Sequence, residues 1–423
     1  MWRGIVDVYP LIVASSTTKG LYFMTRIRPF RVAMLAPPWL ALPTKGYGGI
    51  ERVIEDLVKE LVKLGIEIDL FANGARTMHG IKTYSIYKQE QAVNLEKPFY
   101  EALPILKGHI NYSLNIIKNG NYDIIHNHDP DFAPHMLSWA TKTGEIPPVL
   151  HTFHGPPFHT KKMIENGDYE NTKQYDQLTD LGNVFTVCIS KAMAANAPKT
   201  LRSHMLPVVH NSVSLNDFPF KKDKKNYFIT LARFSPDKGQ HIAAKYAVKL
   251  KKKLRMAGTV AGISTNRRLL FELSNPLSGF RSHPHFRYYS DKVLPYVLRY
   301  PKITYSGNLS GTRKMNFIAE AKALLFPIQW DEPFGVSVIE ALACGTPVVA
   351  MNRGAMPEII KHGVTGFLAN NEAEFCEYMG HIEEIDPAAC RASVEEHFRA
   401  SRMAKEYLER YKEVVARAKK FKK

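Results

Sequence analysis

Short apolar runs alternate with amphipathic segments along the first half of the chain. The run 31–36 is followed by a glycine-containing loop and by a segment, 50–64, whose apolar residues recur at helical spacing. Gly65 ends this predicted helix, and residues 66–71 then alternate apolar and polar side chains as a strand does. Further strands are predicted at 122–126, 149–153 and 184–189. Strands that alternate with helices predict a parallel sheet covered by helices on both faces.

A polar, proline-containing segment at 218–225 interrupts this pattern and is typical of a domain linker. A second alternating series follows it. Its predicted elements are a helix at 239–252 and strands at 227–232, 254–258, 303–306, 323–328 and 347–350, with an irregular helical connection at 264–300. The sequence therefore predicts two doubly wound α/β domains, 24–215 and 226–395, that face each other across a cleft. In open parallel sheets, ligands bind at the carboxyl ends of the strands.

The two ends of the chain lie outside these domains. Residues 1–23 precede the first predicted strand, and their mildly apolar stretch is broken by Asp7 and Pro10, so we expect a disordered N-terminal extension. Residues 396–423 are predicted as a helix with one apolar face, which packs on the protein, and one basic face, which meets solvent. The apolar face comprises Met403, Tyr407, Leu408, Tyr411, Val414, Val415 and Ala418.

The composition is typical of a soluble globular protein: of 423 residues, 45% are hydrophobic and 23% are charged. No apolar run reaches the ~18 residues that a membrane-spanning helix needs. The formal net charge of +17 favours anionic partners, namely phosphorylated substrates, acidic lipid surfaces or nucleic acid. Nucleic acid is disfavoured because no aromatic ladder accompanies the lysine runs. Four well-separated cysteines argue against a zinc site or disulfides and indicate a reducing cytoplasm.

The most informative stretch joins a predicted strand to a helix that begins at Gly335. The backbone N–H groups of Phe334, Gly335 and Val336 therefore lie at a helix N-terminus, which is suited to binding phosphate. Glu332 and Glu340 stand on either side of this turn, with seven residues between them. A carboxylate about a turn and a half into the helix can accept from two neighbouring hydroxyl groups, as on a ribose. The stretch predicts a site for a nucleotide attached to a sugar.

Six motifs occur in order along the chain. They are Gly-Tyr-Gly-Gly-Ile-Glu-Arg (46–52), His-Thr-Phe-His-Gly (151–155), Leu-Ala-Arg-Phe-Ser-Pro-Asp-Lys-Gly (231–239), Glu-Pro-Phe-Gly (332–335), Glu-Ala-Leu-Ala-Cys-Gly-Thr-Pro-Val-Val-Ala (340–350) and Gly-Val-Thr-Gly-Phe-Leu (363–368). Together they resemble the nucleotide-sugar-dependent, retaining glycosyltransferases of family 4. The resemblance implies the GT-B fold, in which two Rossmann-like, doubly wound domains face each other across a cleft. It also implies that the N-terminal domain binds the acceptor and that the C-terminal domain binds the donor.

The resemblance further implies roles for individual donor-site residues. Glu340 is expected to bind the ribose hydroxyl groups, and Glu332 a hydroxyl of the donor sugar near the reacting carbon. Gly48 and Gly49 lack Cβ atoms, so their backbone can approach the donor pyrophosphate or the transferred sugar. A glycine-rich loop on its own is equally compatible with a plain turn.

Arg233 and Lys238 follow a predicted strand of the second domain. Cleavage of a glycosyl–phosphate bond builds negative charge on the departing diphosphate, and fixed cations stabilise that charge. The resemblance implies this role for both residues, without a metal ion. The alternative is a solvated surface pair, which is common in so basic a chain.

His154 lies just past a predicted strand, and the resemblance implies that it approaches the reacting sugar. His126, His128, Asp129 and His151 suggest a rival interpretation, because such a cluster could bind zinc or iron for hydrolysis. That interpretation leaves the nucleotide features without a role. We therefore predict no metal site.

The resemblance thus implies a retaining glycosyltransferase, most simply a hexosyltransferase, that requires no cofactor. The donor is expected to be a nucleoside diphosphate sugar, with a UDP-sugar favoured, and the acceptor is an unidentified glycan, lipid or small molecule. We expect a cytoplasmic protein whose helix 396–423 packs back on the N-terminal domain, with peripheral contact to the acidic inner membrane surface left open. Alternatives are a nucleotide-sugar epimerase or hydrolase on the same fold, a metallohydrolase, and a non-catalytic basic binding module.

Overall fold

The computed structural model describes residues 28–44, 48–74, 78, 80–91, 99–129, 133–155, 181–197 and 199–421. The predicted N-terminal extension, 1–23, lies outside these residues. Within them, no helix combines the length and the apolar character that crossing a lipid bilayer requires.

The first half of the chain forms a sheet of six parallel strands in the order β3-β2-β1-β4-β5-β6. The strands are β1 (Arg31–Leu35), β2 (Glu67–Phe71), β3 (Lys82–Tyr84), β4 (Ile124–Asn127), β5 (Val149–Phe153) and β6 (Val184–Cys188). The helices described here are α1 (Gly49–Lys63), α2 (Phe99–Lys118), α3 (Ala133–Lys142), α4 (Lys191–Ala195) and α5 (Lys199–Arg202). All residues of β4, β5 and β6 are buried because helices cover both faces of the sheet.

The second half forms another sheet of six parallel strands, in the order β12-β11-β10-β7-β8-β9. The strands are β7 (Lys225–Leu231), β8 (Leu254–Ala257), β9 (Ile303–Tyr305), β10 (Ala321–Phe326), β11 (Val348–Met351) and β12 (Gly366–Ala369). The helices are α6 (Gln240–Lys249), α7 (Asn266–Ser274), α8 (Pro284–Tyr288), α9 (Leu294–Arg299), α10 (Gly311–Ala319), α11 (Val336–Ala343), α12 (Met356–Ile359), α13 (Glu372–His381), α14 (Pro387–His397) and α15 (Ala400–Phe421). The predicted doubly wound α/β architecture is confirmed.

Both sheets have the same internal order: third, second, first, fourth, fifth and sixth strand of the series. The order reverses between β1 and β4 in the first sheet and between β7 and β10 in the second. Such reversal points are where the loops after two neighbouring strands separate, and they form the usual ligand crevice of open α/β sheets. The predicted donor loops follow β1, β7 and β10, so the topology places them at these two points.

Most predicted elements are present, with ends that differ from the prediction by at most four residues. Two strands were not predicted. β3 is a three-residue edge strand with exposed or half-buried side chains, and therefore lacks an apolar pattern. β12 begins at Gly366, which is an unfavourable strand residue. The region 264–300 is an irregular helical connection as predicted, and it contains a π-helical turn at Tyr289–Val293 between α8 and α9.

The last helix, α15, packs on the first sheet rather than on the second. Met403, Tyr407, Tyr411 and Val414 are buried in the same apolar cluster as the inner face of α1. The opposite face carries exposed lysines, among them Lys405. The helix therefore ties the end of the chain to the N-terminal half.

A buried polar network joins α15 to the centre of the first sheet. The two ring nitrogens of His126 lie 2.7 Å from the hydroxyl of Tyr411 and 2.8 Å from the hydroxyl of Thr152. The Thr152 hydroxyl lies in turn 3.0 Å from that of Tyr407. Since all four side chains are buried, each hydroxyl satisfies a polar group that water cannot reach.

A carboxylate of the second domain forms hydrogen bonds with the first domain. Glu358 on α12 accepts from the backbone N–H groups of Lys191 and Ala192 at 2.8 Å each, and from His210 Nε2 at 2.9 Å. Burial alone would raise the pKa of Glu358, but the bonds from His210 and the two N–H groups lower it below its ordinary value. Glu358 is thus an inter-domain contact.

We predict that Tyr411→Phe destabilises the protein by about 1–3 kcal/mol, because a ring nitrogen of buried His126 loses its only partner on α15. Urea unfolding measures the effect. Tyr300→Phe is the matched control, since Tyr300 is 41% exposed and its change should be nearly neutral. If the two variants unfolded at the same urea concentration, the assigned role of the His126–Tyr411 hydrogen bond would be contradicted.

Candidate active site

An ion pair lies at the reversal point of the second sheet. Lys238 ends a short 3₁₀ turn after β7, and Glu332 follows β10. Their atoms Nζ and Oε2 are 2.5 Å apart, and only 12% and 11% of the respective side chains are exposed. The indole N–H of Trp330 donates to the same oxygen, Oε2, at 2.8 Å. Two predicted site residues are therefore in direct contact, together with a third residue that sequence reasoning missed.

Glycines allow the loops of this site to approach one another closely. A Cβ on Gly239, which has φ 67°, would lie 2.1 Å from the carbonyl oxygen of Pro327. A Cβ on Gly354, which has φ 58°, would lie 2.3 Å from the carbonyl oxygen of Glu332. That carbonyl also accepts from the N–H of Ala355 at 2.9 Å. The loops after β7, β10 and β11 are consequently in backbone contact, which fixes where Lys238 and Glu332 meet.

The turn before α11 has the predicted conformation. Gly335 is the N-cap, with φ 95°, a region that glycine adopts without strain. Among the described residues, the N–H groups of Phe334, Gly335 and Val336 make no hydrogen bond. The Phe334 ring is buried and packs against Phe398 with centroids 5.9 Å apart. The turn thus presents backbone donors while its side chain anchors it.

Glu340 lies on α11 and forms its own ion pair. Its Oε1 accepts from Nζ of Lys314 on α10 at 2.6 Å, and only 6% of the Glu340 side chain is exposed. Its second oxygen makes no hydrogen bond within the described residues and is not among the fully buried atoms that lack a partner. Oε2 is therefore available to a ligand. Lys314 belongs to none of the six motifs, so no sequence pattern indicated a role for it.

Arg233 lies nearby but does not join the Lys238–Glu332 pair. Its guanidinium is 3.3 Å from Oδ2 of Asp237, and 44% of its side chain is exposed. Burial raises the pKa of Asp237, but Ser235, Arg233 and Lys238 together lower it below its ordinary value. The two cations thus flank one carboxylate, and only Lys238 reaches Glu332.

His154 follows β5 and is held by a second histidine. Its Nε2 lies 2.8 Å from Nδ1 of His128, and the two rings stack with centroids 5.1 Å apart. Nε2 of His128 lies 3.1 Å from the sulfur of Met34. Burial lowers the pKa of His154 to about 3 and that of His128 well below its ordinary value, so both rings are neutral at pH 7.

These contacts assign the protons on the two rings. A thioether sulfur only accepts, so Nε2 of His128 carries the proton and its Nδ1 is an acceptor. Nε2 of His154 must then donate, which leaves its Nδ1 unprotonated. Nδ1 of His154 makes no hydrogen bond within the described residues and can accept one from a hydroxyl group.

The remaining histidines of the cluster are His126 and His151, and protein atoms contact all their ring nitrogens except Nε2 of His151, which is buried without a hydrogen-bond partner among the described residues. Both nitrogens of His126 contact hydroxyl groups, and Nδ1 of His151 lies 2.8 Å from the Asn127 amide nitrogen. Burial lowers the pKa of His151 to about 3. In the part of the chain that the structure describes, no three His, Cys, Asp or Glu side chains converge in a way that could hold a metal ion.

The Gly48–Gly49 pair begins α1 at the reversal point of the first sheet. Gly48 has φ 156°, and a Cβ there would lie 3.0 Å from Oε2 of Glu51. Among the described residues, no atom lies within 4 Å of the position that a Cβ on Gly49 would take. Glu51 is buried beneath this turn, and burial raises its pKa to about 7. Only Gly48 is conformationally required, whereas the open side at Gly49 leaves room for a ligand.

Comparison with known proteins agrees with this geometry. Residues 215–391 match the family model "Glycosyl transferases group 1", and residues 47–217 match "Glycosyltransferase Family 4". The D-inositol 3-phosphate glycosyltransferase of Paenarthrobacter aurescens is 24% identical over 402 residues, which cover 87% of this chain and 94% of that protein.

Two solved structures share the whole architecture. Sucrose-phosphate synthase from Thermosynechococcus elongatus has a TM-score of 0.72 at 18% identity, and the match covers 92% of this chain and 99% of that one. Anabaena HepE in complex with UDP and glucose has a TM-score of 0.64 at 17% identity, with 91% and 100% covered. The chain therefore belongs to the group-1 and family-4 glycosyltransferases, which are enzymes with the GT-B fold.

Proposed function

We propose that the protein transfers a sugar from a nucleoside diphosphate sugar to an acceptor, with retention of the anomeric configuration. The observation that carries this proposal is the meeting of Lys238 and Glu332 at the reversal point of the second sheet, 2.5 Å apart and largely shielded from water. A cation for a departing phosphate and a carboxylate for a sugar hydroxyl are the two groups that such a donor needs at its reacting end.

The donor is proposed to lie along the turn before α11. Oε2 of Glu340 accepts from the ribose hydroxyl groups. The backbone N–H groups of Phe334, Gly335 and Val336 face the diphosphate and the sugar, since they have no other acceptor among the described residues. The Gly48–Gly49 turn approaches from the first domain, where Gly49 leaves open space.

In the reaction, the bond between the anomeric carbon and the phosphate oxygen breaks, and a bond from that carbon to an acceptor oxygen forms on the same face. The acceptor proton passes to the departing phosphate. Lys238 stabilises the charge on the diphosphate, and Arg233 joins it after leaving Asp237. Because these side chains supply the positive charge, we propose that transfer requires no metal ion.

His154 is proposed to accept a hydrogen bond from a donor-sugar hydroxyl through its unprotonated Nδ1. The contacts of His128 with Met34 and with His154 support this tautomer. Glu332 accepts from a second hydroxyl. Two acceptors from different domains would orient the sugar only when both domains contact it, and that arrangement also excludes water.

For the donor we favour a UDP-sugar, since HepE was solved with UDP and with UDP-glucose. The acceptor remains a glycan, a lipid or a small molecule. The cytoplasm is the proposed location, and the exposed lysines of α15 provide a basic face for peripheral contact with an acidic inner membrane surface.

A thermal-shift screen against UDP-, GDP-, ADP- and dTDP-sugars tests the proposal. A ligand at 100 times its dissociation constant adds ~2.7 kcal/mol to the free energy of unfolding, which is readily detected. Absence of any shift would refute nucleotide-sugar binding.

Two further experiments separate the rival activities. Analysis of the product distinguishes transfer from epimerisation, which consumes donor without an acceptor. EDTA should abolish the activity of a metallohydrolase but should not affect this enzyme.

We predict that Lys238→Ala slows nucleotide release from the donor by ~10²–10³, with the fold retained, because the charge on the departing diphosphate loses a fixed cation. Arg233→Ala should give a similar loss. Lys292→Ala is the control, since Lys292 is an exposed lysine of the same domain. Wild-type rates in folded Lys238→Ala would rule out the leaving-group role.

We predict that Glu340→Gln weakens UDP binding by about 10- to 100-fold, equivalent to a charged hydrogen bond of ~1.5–3 kcal/mol. Isothermal calorimetry with UDP and with 2′-deoxy-UDP measures the effect. The wild type should bind 2′-deoxy-UDP more weakly than UDP, whereas the variant should bind the two ligands with equal affinity. Glu377→Gln, on the exposed side of α13, is the control. Unchanged affinity in Glu340→Gln would contradict the ribose contact.

A further inference from the structure

We propose that Trp330 is a positioning residue for transfer: it holds the Glu332 carboxylate in place while Lys238 moves from Glu332 to the donor diphosphate. This inference rests on the proposed function. It adds a residue that belongs to none of the sequence motifs, two positions before Glu332.

The geometry assigns the two oxygens of Glu332 different tasks. Oε2 receives both available donors, Nζ of Lys238 at 2.5 Å and Nε1 of Trp330 at 2.8 Å. Oε1 makes no hydrogen bond within the described residues and is not among the fully buried atoms that lack a partner. The two hydrogen bonds to Oε2 fix the carboxylate, and Oε1 can accept a hydrogen bond from a sugar hydroxyl.

The indole of Trp330 contacts both members of the ion pair. Its edge donates to Glu332, while the ammonium group of Lys238 lies 4.9 Å from its ring centroid and 5.9 Å from that of Phe326. A cation near aromatic faces is stabilised by the ring quadrupole, most strongly for tryptophan. The aromatic rings therefore contribute, together with Glu332, to stabilising the Lys238 ammonium group in its largely buried position.

When the donor binds, its diphosphate competes with Glu332 for Lys238, and Trp330 then holds Glu332 in place. Lys238 cannot neutralise Glu332 and a diphosphate fully at the same time, and the diphosphate carries the greater negative charge. When Lys238 shifts, the shielded carboxylate of Glu332 loses a hydrogen-bond partner, which would allow it to rotate. The Trp330 N–H remains on Oε2 and keeps the carboxylate aimed at the sugar.

The surrounding backbone supports a fixed Trp330–Glu332 unit. The carbonyl of Glu332 accepts from the N–H of Ala355, and Gly354 packs directly on the same peptide. The carbonyl of Gln329, just before Trp330, accepts from Arg353 at 2.6 Å. Lys238 is thus the member of the cluster whose flexible side chain can move.

Trp330→Phe tests the proposal because phenylalanine keeps a ring beside Lys238 but cannot donate to Glu332. We expect donor cleavage to slow by about 10-fold, while the dissociation constant for UDP, which lacks the sugar, changes by less than about twofold. Equal activity of the variant and the wild type would overturn the proposal. So would a loss of UDP affinity as large as the loss of rate, since that would indicate a general binding role.

Tryptophan fluorescence gives a readout that needs no acceptor. In the wild type, saturating UDP should change the indole emission as the Lys238 ammonium leaves the ring. The change should be absent in Trp330→Phe, which retains Trp2, Trp39 and Trp139, and also in Lys238→Ala, provided that calorimetry shows UDP still bound. A change of equal size in all three proteins would overturn the proposal even if Trp330→Phe folded poorly. If UDP, GDP, ADP and dTDP all fail to bind the wild type, the proposed function itself fails and this inference with it.

Discussion

Backbone contact between the loops after β7, β10 and β11 is the constraint on which the site depends. The contact is allowed at Gly239 and Gly354 because any Cβ there would collide with a backbone atom at less than 2.5 Å. With the loops so close, two charged side chains from separate strands, Lys238 and Glu332, are brought within a single hydrogen bond. Larger residues at either glycine would separate the loops and therefore the charges, whatever the side chains of the site.

Because the loops lie so close together, oppositely charged side chains form ion pairs. These ion pairs explain how a site without a ligand can hold several charged groups away from water. Lys238 pairs with Glu332 and Lys314 pairs with Glu340, so each carboxylate is balanced before any ligand arrives. A buried ion pair is costly to break unless a new partner replaces the old one. A diphosphate sugar brings both an anion and hydroxyl groups, so it can satisfy the cation and the carboxylate together.

How far the sequence predicted this arrangement depends on the kind of signal. The alternation of apolar runs and amphipathic segments predicted both doubly wound sheets, because strand and helix periodicities are local. The motifs indicated Glu332, Lys238 and Glu340. They did not indicate that Lys238 would contact Glu332, since 94 residues separate the two and only the strand order brings them together.

Other parts of the site had no local signal at all. Trp330 donates a hydrogen bond to Glu332 and Lys314 forms an ion pair with Glu340, but neither Trp330 nor Lys314 occupies a distinctive sequence pattern. The tautomer of His154 depends on Met34, which looked like an ordinary apolar strand residue. Arg233 was predicted alongside Lys238, yet its side chain lies on Asp237, because a four-residue spacing favours that local ion pair.

The division of the site between two domains gives the remaining contacts their significance. His154 and Gly48 belong to the first sheet, whereas Lys238, Glu332 and Glu340 belong to the second. The hydrogen bonds of Glu358 to the first domain and the packing of α15 on that domain both join the two halves. Since these contacts fix how the two reversal points face each other, a change in them would alter the distance between His154 and Glu332 without touching either residue. The proposed geometry of sugar binding therefore depends on the domain arrangement as much as on the site residues themselves.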